Sequence, residues 1–147
     1  MDIRKANLQH LSEVARLFDL YRQFYECPPD YSIAYRFIKE RMENSESDIF
    51  LAIDENAARG FVQLYPSFCS VQAIKIYILY DLYVEADYRN SGLGENLMNR
   101  ATQWATENNA DRLDLLTAHT NKVAQHLYEK LGYKRVLDDF HTYSLQL

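Results

Sequence analysis

The sequence predicts one α/β domain over residues 1–147, with a mixed, mostly antiparallel sheet of about seven strands and helices on both faces. Three observations indicate this fold. The length of 147 residues fits a single domain. The hydrophobic patterns follow the order β-α-α-β-β-β-α-β-α-β-β, in which consecutive central strands favour antiparallel pairing. The strand–helix–strand connections favour parallel pairing elsewhere in the sheet.

Two helices are predicted between the first and second strands. Asn7 is a suitable N-cap for a helix over residues 8–25, whose apolar side chains recur with the helical period. Pro28 and Pro29 interrupt this helix, because proline cannot donate the helical hydrogen bond. Ser32 is a candidate cap for the second helix, which ends near Asn44.

Apolar, aromatic and β-branched segments predict most of the strands. The first is Asp2–Lys5, and the second, Asp48–Asp54, is almost continuously apolar. Further strands are predicted over residues 61–68, 73–84 and 112–117.

The second half of the chain adds two helices and a hairpin. One helix covers residues 92–108 and the other residues 121–131. Gly132 closes the latter, because glycine suits the left-handed position that follows a helix. The chain then ends in a predicted hairpin, with strands over residues 133–137 and 140–145.

The composition bounds the functional class. The formal net charge is −5, which argues against nucleic-acid binding, since nucleic acids select basic surfaces. Cys27 and Cys69 form neither a metal motif nor a disulfide framework. The first residues lack an apolar stretch, so neither a signal peptide nor a membrane span is predicted. We therefore expect a cytoplasmic protein without nucleic-acid or membrane partners.

Residues 89–94, Arg-Asn-Ser-Gly-Leu-Gly, lie between a predicted strand and a predicted helix and can hold phosphate groups. A helix N-terminus offers unpaired N–H groups, the two glycines let an anion approach the backbone, and Arg89 adds a permanent charge. Leu97 stands where a dinucleotide fingerprint has its third glycine, and the Gly-Lys-Ser/Thr of a P-loop is missing. Two alternatives remain: a plain helix start capped by Ser91, and a coenzyme A pyrophosphate site.

Two motifs resemble the GNAT superfamily of acyl-CoA-dependent N-acetyltransferases. LYVEADYRNSGLG, residues 82–94, matches an apolar strand end followed by Arg/Gln-x-x-Gly-x-Gly/Ala. NKVAQHLYEKLGY, residues 121–133, matches a second family motif through Asn121, Ala124, Tyr128, Gly132 and Tyr133. The motifs occur in the family order, and the predicted element order fits the family fold along essentially the whole chain.

The resemblance implies acetyl-CoA as cosubstrate and a sheet that splays beside the strand ending at Val84. The strand end would pair with the pantetheine amides, the loop amides would hold the pyrophosphate, and Asn121 would contact pantetheine. The cofactor-binding residues expected on this basis are Leu82, Tyr83, Val84, Arg89, Asn90, Ser91, Gly92, Leu93, Gly94, Glu95, Asn121 and Tyr128.

Tyr128 is the residue that the resemblance marks as catalytic. It lies two helical turns after Asn121, on nearly the same helix face. A family tyrosine at this position protonates the departing thiolate. The alternative is a core aromatic beside Ala124, Leu127 and Leu131.

The general base is less clear from the sequence. An alkylamine is a cation at neutral pH, so a group or a water must take its proton before it attacks. The strand positions that carry a base in some family members correspond to Ile78 and Tyr80, and a water relay lined by Tyr80 is the prediction. Strand alternation places Asp81 opposite Tyr80, facing helices. No metal-ligand spacing occurs among the histidines.

The acceptor is expected to be a small amine or polyamine, with a peptide or protein lysine as a variant. Looser similarity to the histone and polyamine acetyltransferase branch supports this expectation. Cation–π contacts and charge favour Glu26, Asp30, Tyr31, Tyr65 and Tyr80 as its binding residues, although the acids could equally be solvated.

Two functional classes follow from the sequence. The first is an N-acetyltransferase in which the amine attacks acetyl-CoA directly in a ternary complex. The second is a non-catalytic acyl-CoA-binding sensor or docking module. Exposed strands at the sheet end could also serve a homodimer.

Overall fold

The structure, a computed structural model, describes residues 1–55 and 57–147. These residues form two compact units, Met1–Leu116 and Thr117–Leu147, which are described in turn. None of the helices formed by the described residues is long and apolar enough to cross a membrane.

The first unit contains a sheet of five strands in the spatial order β1-β2-β3-β4-β5. The first four strands pair antiparallel with their neighbours, and β4 pairs with β5 in parallel. The prediction of a mixed, mostly antiparallel sheet is confirmed. The bounds are β1 Asp2–Lys5, β2 Asp48–Asp54, β3 Ala57–Cys69, β4 Ile74–Val84 and β5 Arg112–Asp114.

Two helices, α1 (Leu11–Phe24) and α2 (Tyr31–Glu43), follow β1. Asn7 caps a 3₁₀ turn that precedes α1, as its side chain accepts a hydrogen bond from the Gln9 N–H at 2.9 Å. The expected cap of α2 is wrong: Asp30, not Ser32, accepts the Ile33 N–H at 3.1 Å. The helix begins at Tyr31, two residues earlier than a cap at Ser32 would give.

Helices cover both faces of the sheet, as predicted. On one face, α1 and α2 pack against β2 and β3. The buried core between them includes Leu17, Phe18, Ala34, Ile38, Ile49, Leu51 and Phe61. On the other face lies α3, Leu93–Glu107. The ring of its Trp104 packs edge-on against Phe50, at 5.6 Å between centroids.

Strand β4 is irregular at Tyr80 and Asp81. Gln63 of β3 lies opposite Asp81, but Leu64 lies opposite Leu79, so Tyr80 is an extra residue. This is a β-bulge, in which two residues oppose one and a side chain is re-aimed. The ladder with β5 covers Ile76 to Ile78 and so ends just before the bulge. From Leu79 onward β4 runs past the last pair with β5.

The second unit contains α4, Lys122–Lys130. The side chain of Asn121 caps its start by accepting the Ala124 N–H at 3.3 Å. Gly132, with φ of 93°, closes it as predicted: its N–H bonds the Glu129 carbonyl, and the Tyr133 N–H bonds the Tyr128 carbonyl.

The predicted terminal hairpin is wrong, and the described residues form five strands rather than about seven. A turn is present, because the Phe140 N–H bonds the Leu137 carbonyl at 3.0 Å. Residues 134–147 flank this turn without forming strands, and their side chains are exposed. Alternating apolar residues predict strands only where a neighbouring strand or helix covers one face, since an isolated hairpin is marginally stable.

Candidate active site

The cofactor motif begins on the part of β4 that has passed the end of β5. Leu82, Tyr83 and Val84 occupy this segment, paired with β3 on one side. The Val84 carbonyl accepts a hydrogen bond from Arg89 Nε at 2.9 Å. The strand end is therefore bound to the loop that follows it, and its other edge extends beyond the β5 ladder.

An ion-pair network holds the strand end and the start of the loop. Glu85 pairs with Arg16 of α1 and with Arg59 of β3. The Arg59 guanidinium also lies over the ring of Tyr88, 4.7 Å from its centroid. The segment between β4 and α3 is thereby fixed to both α1 and the sheet.

The loop itself has the backbone that an anion site needs. Asn90 and Gly92 adopt positive φ angles of 59° and 82°. Ser91 does not cap α3, because its hydroxyl donates to the Tyr88 carbonyl. The cap position is Gly92, which has no side chain to bond the first N–H groups of the helix. The plain capped start is therefore wrong, and the positive end of α3 faces outward from exposed residues.

The remaining loop residues take different positions. Arg89 is exposed, with its guanidinium 5.7 Å from the ring of Phe24 and 5.6 Å from that of Tyr83. Leu93 is buried and anchors the first turn of α3, while Gly94 and Glu95 are half-buried. Of the loop residues predicted to bind the cofactor, Arg89 and Gly92 are therefore exposed, whereas Leu93 packs into the core.

Asn121 and Tyr128 lie in the second unit. Asn121 serves as the helix cap described above, a role that sequence reasoning did not foresee. The Tyr128 ring lies 6.0 Å from that of Tyr133, tilted by 52°.

A pocket of about 290 Å³ lies beside the bulge, on the sheet face covered by α1 and α2. Its walls are largely aromatic, and it contains a carboxylate, an arginine and a thiol. The lining residues are Phe18, Tyr21, Arg22, Tyr25, Cys27, Phe37, Tyr65, Tyr80 and Asp81.

Asp81 is the buried carboxylate of this pocket, with 4% of its surface exposed. Burial raises its pKa, against the opposing effect of hydrogen bonds from Gln63 and Tyr21. Gln63, itself buried, donates through Nε2 to Asp81, and its Oε1 accepts from the Ser47 hydroxyl at 2.7 Å. The hydrogen bond from Ser47 to Gln63 thus orients the Gln63 amide so that its N–H group donates to the Asp81 carboxylate.

Tyr65 and Tyr80 stand next to this carboxylate. Their rings meet edge to face, 5.5 Å apart at 87°. Burial and the nearby Asp81 raise the pKa of Tyr65 to about 12, so its hydroxyl keeps its proton at physiological pH. Tyr80 is 61% exposed, and its carbonyl accepts the Tyr21 hydroxyl at 3.3 Å.

Of the five residues expected to bind the acceptor, two line the pocket and three do not. Tyr65 and Tyr80 line the pocket together. Glu26 is exposed after α1, in a left-handed conformation with φ of 65°. Asp30 is used as the cap of α2, and the Tyr31 hydroxyl donates to the Ser12 carbonyl at 3.5 Å.

Strict strand alternation led to the wrong side for Asp81 relative to Tyr80. Both residues line the same pocket. Tyr80 is the extra residue of the bulge, so the strict alternation of side chains between the two faces of the sheet is interrupted between Tyr80 and Asp81. Asp81 does contact α1 through Tyr21, as expected, but the pocket lies on that same face. The sequence feature that could have marked Asp81 as a candidate site residue is its position as the one carboxylate in the apolar strand over residues 76–84.

Comparisons with known proteins bear on the family and the fold. The acetyltransferase (GNAT) family matches residues 14–133. An uncharacterized N-acetyltransferase, YhfO of Bacillus subtilis, is 42% identical over 134 residues, which cover 91% of this chain and 90% of that protein. A crystal structure of a probable acetyltransferase has a TM-score of 0.91 at 36% identity, covering 100% of this chain and 98% of the other.

A more distant similarity bears on the fold alone. An aminoglycoside N-acetyltransferase solved in complex with CoA has a TM-score of 0.84 at 18% identity, covering 99% of this chain and 95% of that one. Together the matches confirm the predicted fold and enzyme class, and acetyl-CoA is the acetyl donor of that class. By its sequence and by its fold, the chain belongs to the GNAT family of acetyltransferases.

Proposed function

We propose that this protein moves the acetyl group of acetyl-CoA to a primary amine that binds beside Asp81. The observation that carries this proposal is the bulge, which sets a buried carboxylate in an aromatic pocket on the strand that bears the cofactor motif. Aromatic faces and a carboxylate are the groups that receive an ammonium. The N-acetyltransferase relative supports an amine as the acceptor class.

The cofactor residues are proposed from the family motif and the loop geometry. The segment of β4 beyond β5, Leu82 to Val84, would pair with pantetheine, with Asn121 as a further contact. The pyrophosphate would lie on the uncapped N–H groups at the start of α3, near Arg89. These groups supply local positive potential, which an anionic ligand needs in a chain of net charge −5.

The proposed reaction starts from an ammonium held by Asp81. The carboxylate takes its proton, directly or through a water that passes Tyr80, and its raised pKa makes it a stronger base than an exposed carboxylate. The neutral nitrogen then attacks the thioester carbonyl carbon, forming the C–N bond. The C–S bond breaks, the sulfur keeps the electron pair, and Tyr128 donates a proton to the thiolate. The new amide nitrogen releases its extra proton, which restores the Tyr128 hydroxyl through solvent, and Asp81 returns its proton to solvent before the next turnover.

Release of free CoA thiol across a panel of amines, peptides and amino acids tests this function. Tyr128→Phe should lower kcat by about 10²- to 10⁴-fold, the usual contribution of a positioned acid, while the Kd for acetyl-CoA stays within about twofold. Tyr143→Phe is the matched control, since Tyr143 is 90% exposed. It should leave both constants unchanged.

Two outcomes would contradict the proposal in different ways. Full activity of the Tyr128→Phe enzyme would remove the acid role of Tyr128 and leave acetyl transfer intact. Tight binding of acetyl-CoA with no thiol release for any acceptor would favour the non-catalytic sensor.

A further inference from the structure

A second charged group in the acceptor pocket has no role in the reaction just described. Arg22, in the last turn of α1, lines the pocket together with Asp81. Its Nη1 atom is buried and makes no hydrogen bond to any residue of 1–55 or 57–147. A buried donor without a partner costs stability, so it calls for a physical explanation, and a bound molecule is one.

The position of Arg22 at the end of α1 explains why a cation is favourable there, but not why its Nη1 atom is buried without a partner among the described residues. A cation in the last turn is favourable because it lies at the negative end of the helix. That benefit does not require an N–H of the guanidinium to be buried without a partner in this part of the chain. Arg16, on the same helix, differs: its guanidinium bonds Glu13, Glu85 and the Ala58 carbonyl.

The two charges of the pocket are engaged separately. Asp81 accepts hydrogen bonds from Gln63 and Tyr21, and Arg22 is not among the groups that shift its pKa. The lining of the pocket therefore includes one acidic and one basic residue, which do not pair with each other in any bond described above. A polyamine would satisfy Asp81 and bring a second cation towards Arg22, whereas a carboxylate would match the guanidinium.

Resting on the proposed function, we propose that the acceptor is a free amino acid. Its amine binds at Asp81, where it is acetylated, and its carboxylate accepts hydrogen bonds from Arg22. A volume of about 290 Å³ suits a molecule of this size. The proposal narrows the expected small amine or polyamine to a zwitterionic acceptor.

The test compares acceptors that differ only by the carboxylate: lysine with cadaverine, ornithine with putrescine, and phenylalanine with phenethylamine. At least one amino acid should exceed its decarboxylated partner in kcat/KM by about 10- to 100-fold, as expected for hydrogen bonds to a charged group. Arg22→Gln should reduce that ratio to near one by raising KM for the amino acid, with little change for the amine.

Arg36→Gln is the matched control, since Arg36 is an exposed arginine of the neighbouring helix α2. It should preserve the ratio, and thermal melting should show both variants folded. If every amine is used as well as its amino acid, or if Arg22→Gln lowers both alike, the proposal is overturned while acetyl transfer stands. Failure of acetyl transfer itself appears differently, as no thiol release with any acceptor.

Discussion

At the scale of single residues, the pocket contains one buried carboxylate, Asp81, whose ionised form lowers the stability of the folded protein. Asp81 is buried with a raised pKa, so its protonated form is favoured more in the folded protein than in the unfolded chain. Hydrogen bonds from Gln63 and Tyr21 offset part of the cost of ionisation. A group that is costly to ionise and is nonetheless retained is a frequent property of functional sites.

Replacing Asp81 with Asn should separate activity from stability. Turnover should fall by about 10²- to 10⁴-fold, because the amide cannot take a proton, while Oδ1 can still accept from Gln63. The unfolded chain ionises Asp81 at a lower pH than the folded protein does. The wild type therefore loses stability relative to the variant as pH rises from the unfolded through the folded pKa.

Thermal melting at pH 4 and pH 7 checks the stability part. The melting temperature of the variant minus that of the wild type should be larger at pH 7, with 1 kcal/mol equivalent to roughly 2–4 °C for a chain of this size. Asp111→Asn, at an exposed position, is the control and should show no such trend. A difference that shrinks as pH rises would contradict the raised pKa.

At the same scale, the sequence predicted some residues of the pocket and not others, for a physical reason. Tyr65 and Tyr80 were expected at the acceptor site because of their residue type, and they line the pocket. Asp81 and Arg22 were missed, because their positions depend on a bulge and on helix packing. Asp30 has a side chain suited to a cation, but the start of α2 uses it.

At the scale of elements, the start of α3 is the feature that suits an anionic cofactor. Gly92 has φ of 82°, and a Cβ built there would meet nothing within 4 Å. A side chain is therefore disfavoured by backbone conformation rather than by neighbours. The open space at this residue is also where the backbone can approach a phosphate.

Gly92→Ala should raise KM for acetyl-CoA by about tenfold or more and leave KM for the amine unchanged, since the methyl group obstructs phosphate approach. Gly132→Ala is a close control: its φ is 93° and its Cβ would also meet nothing within 4 Å. Both variants should lose about 1–2 kcal/mol of stability. Equal effects on KM would show that strain, not access, is responsible.

Most element boundaries followed from local sequence rules. β2 matches its predicted bounds, and the Gly132 closure of α4 was anticipated from residue type. The bulge and the early end of β5 were not, because both arise from pairing between strands. Local patterns report which residues can form a strand, and the neighbouring strand decides where the ladder stops.

At the scale of the whole molecule, an acidic chain has to bind an acidic cofactor. The net charge of −5 opposes coenzyme A at long range, so we propose that the start of α3 and Arg89 supply the local attraction. The predicted GNAT family required two motifs distant in sequence, and neither composition nor charge indicated it. The proposal of a zwitterionic acceptor required the three-dimensional pocket.

Binding should be visible as stabilisation of the whole protein. CoA at about 100 times its Kd adds roughly 2.7 kcal/mol, which raises the melting temperature by about 5–11 °C. Arg89→Ala should diminish this shift at the same CoA concentration, because one cation near the pyrophosphate is lost. Arg36→Gln serves again as the control, and an unchanged shift in Arg89→Ala would remove Arg89 from the cofactor site.

The bulge at Tyr80 also makes the chain tolerant of an unusual genetic change. Deleting one residue from a strand normally sends every following side chain to the wrong face. Here the deletion of Tyr80 would join Leu79 to Asp81, and their partners Leu64 and Gln63 are already consecutive in β3. The deletion should melt within a few degrees of Tyr80→Ala yet lose turnover. Loss of turnover with the fold intact would support the proposed place of Tyr80 beside the acceptor, and full turnover in the deletion would contradict it.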